Sequence, residues 1–163
     1  MRTHSLIAAT VFLATAIAAP VAAQQAAVDP AVAMKSGKEL FEKSCKLCHG
    51  LDRSLALTRD ATTWGLIVKR MVAYGSPLNA EQRPLVVRYL ATRSTFAGKC
   101  GGCHELTRVV SDKPGVQDWK TLTGRMAGHV REFEKQGKAP VGTAFTPEEL
   151  TDIAALLQVI IPK

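Results

Sequence analysis

The chain has little sulfur, few large aromatics and no recognisable strand pattern. Its 163 residues include only four cysteines, two tryptophans and two tyrosines. No segment alternates apolar and polar residues convincingly, which argues against half-buried β-strands. Beyond the N-terminal region, no apolar run is long enough to cross a bilayer; "IAALLQVII" near the end reads as a core helix. The basic residues are scattered and not interleaved with aromatics, so a nucleic-acid stripe is not expected. No cysteine lies outside two C-x-x-C units, and bridges inside such units close tiny loops that stabilise little. The cysteines are therefore not expected to serve as a disulfide framework.

The N-terminal region has the plan of an export signal. Arg2 is followed by an apolar run from Leu6 to Ala19, and small residues Val21 and Ala23 flank the expected cleavage point. Residues 1–23 are read as a signal peptide cleaved near Ala23, which implies a periplasmic location. An uncleaved anchor is the other reading of the same run. Removing Arg2 leaves 20 Lys and Arg against 14 Asp and Glu, a formal +6.

The chain also repeats itself. At a shift of 55, Cys45, Cys48 and His49 fall on Cys100, Cys103 and His104. Trp64 falls on Trp119, and Arg70-Met71 on Arg125-Met126. Such rare residues in register point to an internal duplication. The tails "NAEQRPLVVRYL" (79–90) and "TPEELTDIAALL" (146–157) match at a shift of 67, so the second copy holds twelve extra residues before Thr146. Those lie in "AGHVREFEKQGKAPVGTAF", which reads partly as loop. Each copy is expected to have a lead helix into C-x-x-C-H, a loop, a helix with Trp and Met, and a last helix capped near Asn79 or Thr146. The class is all-α, with units at 24–93 and 94–163 and little linker between them.

Three chemistries use C-x-x-C. Dithiol exchange wants a βαβ setting, which this sequence does not suggest. A four-thiolate zinc site does not need a histidine after each pair. Covalent c-type haem attachment does use that histidine. Two thiols on one helical turn reach the two vinyl groups of one haem, and the next residue offers an imidazole to the iron. Cys45, Cys48, Cys100 and Cys103 are thus expected to carry two haem c groups, with His49 and His104 as proximal ligands.

The second axial ligands follow by elimination. After the leader the histidines are His49, His104 and His129, and the methionines are Met34, Met71 and Met126. Met34 has no methionine counterpart in the second copy. Trp64, Val68 and Met71 share one helix face, as do Trp119, Thr123 and Met126. Met71 and Met126 are the expected ligands; core filling is the other reading, and His129 is the alternative to Met126. Arg70 and Arg125 are candidates for propionate pairing or plain solvation. Lys35, Lys38, Lys43 and Lys46 form one side of the lead helix, either a solvated face or a surface that steers an acidic partner.

The stretch "GKELFEKSCKLCH" resembles class I cytochromes c, where Gly, Phe and Cys open the domain four residues apart. "WGLIVKRMVAYGSPLNAEQRPLVVRYLATR" is similar to the cytochrome c subunit of periplasmic sulfite dehydrogenases and to the dihaem domain of quinohaemoprotein amine dehydrogenases. The resemblance implies two fused cytochrome c-type domains and single-electron transfer between a periplasmic dehydrogenase and an acceptor cytochrome or oxidase. The second copy departs from it after Met126, with "MAGHVREF" against "MVAYGSPL". Two alternatives belong to other classes: a dihaem enzyme reducing peroxide or a nitrogen or sulfur oxide, and a haem-based gas sensor with one labile ligand.

Overall fold

The computed structural model describes residues 28–103, 105–107, 118–138 and 144–161. The expected signal peptide and His104 lie outside them. Among the described residues there are helices and turns and no strand, so the all-α expectation holds there. The helices are α1 (Pro30–Cys45), α2 (Asp52–Leu55), α3 (Ala61–Ala73), α4 (Gln82–Thr95), α5 (Trp119–Lys135) and α6 (Pro147–Ile160). A π-turn, Phe96–Cys100, continues α4 without a break.

Local chemistry sets where the helices start. Asp29 accepts from Ala31 N and Val32 N ahead of α1, with Pro30 in its first turn. Asp60 accepts from Thr63 N at 2.7 Å ahead of α3, and Asp118 from Lys120 N and Thr121 N ahead of α5. Those bonds hold both exposed carboxylates below the ordinary aspartate range; the largest cause for Asp60 is the Thr63 N–H, and for Asp118 the Thr121 hydroxyl. Thr146 and Glu149 form a reciprocal capping box on α6. Asn79 and Gln82 exchange the same pair of bonds, at 2.9 and 3.0 Å, one turn ahead of α4. Both expected capped last helices are therefore present.

The core forms where α1, α4 and α6 meet, with α3 packed on α4 and α5 on α6. Met34, Phe41, Trp64, Val86, Tyr89, Ile153, Leu156 and Leu157 are almost wholly buried. Each such apolar side chain contributes about 1.5–3 kcal/mol of burial. Gly37 is what lets α1 approach α4. A Cβ there would sit 2.3 Å from the Leu85 carbonyl oxygen and 2.9 Å from Tyr89 Cβ. One turn on, the Phe41 and Tyr89 rings lie 5.9 Å apart, tilted by 43°.

One helix serves both repeats. Residues 82–90 of α4 match 149–157 of α6 at the shift of 67, and Tyr89 and Phe96 match Met34 and Phe41 of α1 at the shift of 55. α4 and its π-turn are thus the last helix of one copy and the lead helix of the next. The expected boundary between residues 93 and 94 falls inside this continuous helix, and a single buried cluster draws on both sides of it. Arg88 forks onto Asp152 through Nε at 3.0 Å and a terminal nitrogen at 2.5 Å, joining α4 to α6.

Candidate functional site

The first C-x-x-C-H sits where α1 ends. Phe41, four residues before Cys45, is buried and anchors the last turn. Cys45 is half-buried against the core, while Cys48 and His49 are exposed in the turn that follows. The His49 ring is held by its own neighbour: Nδ1 lies 3.0 Å from the Gly50 carbonyl oxygen. A carbonyl only accepts, so Nδ1 is the donor in this contact, which leaves Nε2 as the nitrogen that could offer a lone pair. Metal-binding imidazoles are commonly oriented in this way.

The cysteines of the second motif are approached through a wider turn. Phe96 is buried four residues before Cys100, but the stretch between them is a π-turn rather than an α-turn. Cys100 is half-buried, Cys103 is exposed, and Cys103 N–H donates to the Cys100 carbonyl at 3.2 Å. Lys99, next to Cys100, is clamped to the start of α6. It donates to Glu149 at 2.6 Å and to the Ala144 carbonyl, and lies 5.4 Å from the centre of the Phe145 ring. Glu149 also accepts from Thr146 N, so the cap of α6 and the second motif share one carboxylate.

All four cysteines are free thiols. Burial is the main cause that pushes the Cys45 thiol up, and it pushes Cys100 to about 11. Neither of these two thiols is thus activated toward thiolate at neutral pH. The helical setting, without the βαβ frame of such sites among the described residues, argues against dithiol exchange. Among the described residues, no three His, Cys, Asp or Glu side chains converge as a metal-holding group, so the four thiols do not assemble a zinc site.

The candidate second ligands lie on α3 and α5. Trp64 and Val68 are buried in the core, and Met71, on the same face, is half-buried at its open end. Trp119 and Met126 are half-buried and Thr123 is buried. His129 is exposed. Met34, by contrast, is fully enclosed in the core where α1 meets its neighbours. Arg70 and Arg125 are both exposed. Lys35 and Lys38 pair with Glu39 and Glu42 along α1, leaving Lys43 and Lys46 as the exposed cations beside the first motif.

The two methionines differ in their helical context. α3 ends two residues after Met71 in a Schellman cap. Ser76 N–H donates to the Met71 carbonyl and Gly75 N–H to the Val72 carbonyl, both at 3.0 Å, with Gly75 at φ +102°. α5 ends in the same cap at Gly137, φ +66°, with bonds from Lys138 to Phe133 and from Gly137 to Glu134. That glycine lies eleven residues past Met126, whereas Gly75 lies four past Met71. The additional seven residues are about two helical turns. Part of the insertion expected to read as loop is therefore helix, and Met126 lies mid-helix while Met71 lies near an end.

Two features that sequence reasoning missed bear on a bound group. Ser76 Oγ is shut off from solvent and has no hydrogen-bond partner among the described residues. A buried hydroxyl left unpaired costs about 1–3 kcal/mol, so its position just past Met71 suits a group that brings an acceptor. A cavity of about 310 Å³ opens beside Leu57, Trp64, Leu90, Phe96 and Leu106. It lies between the segments that follow the two motifs, and its wall is mostly apolar, as a planar macrocycle requires. On these observations the residues fit haem attachment at the first motif, through Cys45 and Cys48, with His49 Nε2 free to ligate. The corresponding fit at the second motif rests on Cys100 and Cys103. No family model, curated protein or solved structure matches this chain.

Proposed function

We propose that this chain is an exported dihaem c-type cytochrome that passes single electrons between a periplasmic dehydrogenase and a downstream acceptor, a cytochrome or an oxidase. The observation that carries the reading is the setting of His49, with Nδ1 held to the Gly50 carbonyl and Nε2 without a hydrogen-bond partner among the described residues, directly behind two unpaired thiols. Its repetition in the sequence at Cys100, Cys103 and His104 makes the count two.

Within that reading the chain's own residues have separate tasks. Cys45 and Cys48 hold one haem, and Cys100 and Cys103 the other. His49 and His104 are the proximal ligands, and Met71 and Met126 are the distal ones, with His129 the alternative at the second centre. Bound haem supplies a one-electron iron couple whose potential the axial ligands and burial tune. Trp64 and Val68 keep water from the Met71 side. No helix among the described residues is long and apolar enough to cross a membrane, which suits a carrier that diffuses between partners.

The test is spectral. Protein expressed with the haem-attachment machinery should carry covalent haem and show two low-spin centres. A high-spin ferric centre at rest would favour the reductase alternative. Rapid carbon monoxide binding at only one reduced centre would favour the gas sensor.

A further inference from the structure

The cavity between the segments that follow the two motifs is apolar except for Ser54, Thr107 and Arg93, and among the described residues Arg93 is the only charged one in its wall. Arg93 is half-buried on α4, one turn before the π-turn that leads to Cys100. Its guanidinium donates weakly to the Tyr89 hydroxyl at 3.4 Å. Among the described residues no carboxylate lies within ion-pair distance of it; the arginine paired with an acid there is Arg88. Half-buried in the wall of an apolar chamber, and bonded among the described residues only to a phenol at 3.4 Å, Arg93 has guanidinium donors to spare for an acceptor. The planar fork of arginine matches a carboxylate in two hydrogen bonds. The arginines singled out in the sequence for this task, Arg70 and Arg125, face solvent instead.

We infer that Arg93 is a carboxylate-binding residue of this cavity and pairs with a haem propionate that enters it. The inference rests on the dihaem reading and adds a residue to it. In that role Arg93 offsets the propionate's negative charge near one iron. Removing the offset favours the ferric form, so the midpoint potential of that centre falls. Arg93 is a positioning residue, with no part in iron ligation.

The test compares wild type, Arg93→Gln and Arg93→Lys as full-length holoproteins, by redox titration with haem stoichiometry and helical content measured alongside. In Arg93→Gln one of the two potentials should fall, by a roughly tenfold change in the ferric-to-ferrous ratio, ~59 mV for one electron. Arg93→Lys should recover most of the shift. Loss of one haem from the Gln variant, with retention in the Lys variant, supports the same assignment. Two unchanged potentials in a protein with both haems, or an equal shift of both as a remote charge would give, overturns the role of Arg93 and leaves the dihaem reading intact. Wild-type protein without covalent haem overturns both.

Discussion

Replacing Gly37 with alanine tests the helix crossing that delivers Cys45 to its site. The new Cβ would lie 2.3 Å from the Leu85 carbonyl oxygen and 2.9 Å from Tyr89 Cβ. Ordinary contact is over an ångström longer than the first of these. The obstacle is backbone of α4, so no side-chain rotation relieves it, and α1 must move away. Overpacking of this kind costs about 1–3 kcal/mol, and a main-chain clash belongs at the upper end. Alanine returns about 1 kcal/mol in helix propensity, leaving a net loss of about 2 kcal/mol. At ~2–4 °C per kcal/mol, Tm should fall by ~4–8 °C. Gly65 in α3 is the control, since a Cβ there meets nothing within 4 Å. Gly65→Ala should therefore raise stability by up to ~1 kcal/mol. The assay is thermal and urea unfolding followed by circular dichroism. A Gly37→Ala protein as stable as wild type would refute the close crossing.

Other perturbations have separate signatures. Ser94→Ala strands the Trp64 indole N–H, which donates to Ser94 Oγ at 2.9 Å in a buried site, so chemical denaturation should show a loss of about 1–3 kcal/mol. Trp64→Phe removes donor and need together and should show a smaller polar penalty. For Cys100 the folded-state thiol titrates near 11 against an ordinary 9.0. Below pH 9 its stabilising contribution is fully present; between pH 9 and 11 the unfolded chain loses its proton first and stability falls, by at most roughly 3 kcal/mol. Cys100→Ser or thioether formation should remove that loss from an alkaline unfolding series. Met71→Ala should abolish the red-region Met–iron band of one haem, and Met126→Ala that of the other; a band lost from neither would remove the methionines as ligands.

Much of the fold was legible in the sequence, for reasons that can be named. Gly37, Phe41 and Cys45 share a face, and the structure uses all three there, at a helix crossing, in the core and at its edge. The Asn79 and Thr146 caps were readable because the acceptor side chain and the glutamine or glutamate three residues on satisfy each other locally. What escaped was set by tertiary contact. The segment that holds the twelve extra residues includes Gly128 and Gly137 and reads partly as loop, yet Ala127 and Val130 are buried and hold α5 helical through the first of these glycines. Arg93 could not be singled out, since its place in a cavity wall depends on how α3, α4 and α6 meet. Ser76 gave no signal either, because a lone serine after a glycine turn reads as surface.

The duplication also changes meaning once the helices are packed. Two units joined by a short linker would each own a core. Here α4 is shared, and Trp64 of the first copy donates to Ser94 on the lead segment of the second. A mutation near either motif should therefore be felt at both, and separate expression of residues 24–93 would leave Leu156 and Leu157 missing from the core.

The most direct measurement is the intact mass of the protein produced with the haem-attachment machinery, together with alkylation of its cysteines after denaturation. A dihaem c-type cytochrome should show a mass increase of two haem groups, with Cys45, Cys48, Cys100 and Cys103 all resistant to alkylation. An unmodified chain with four alkylatable thiols would contradict that reading.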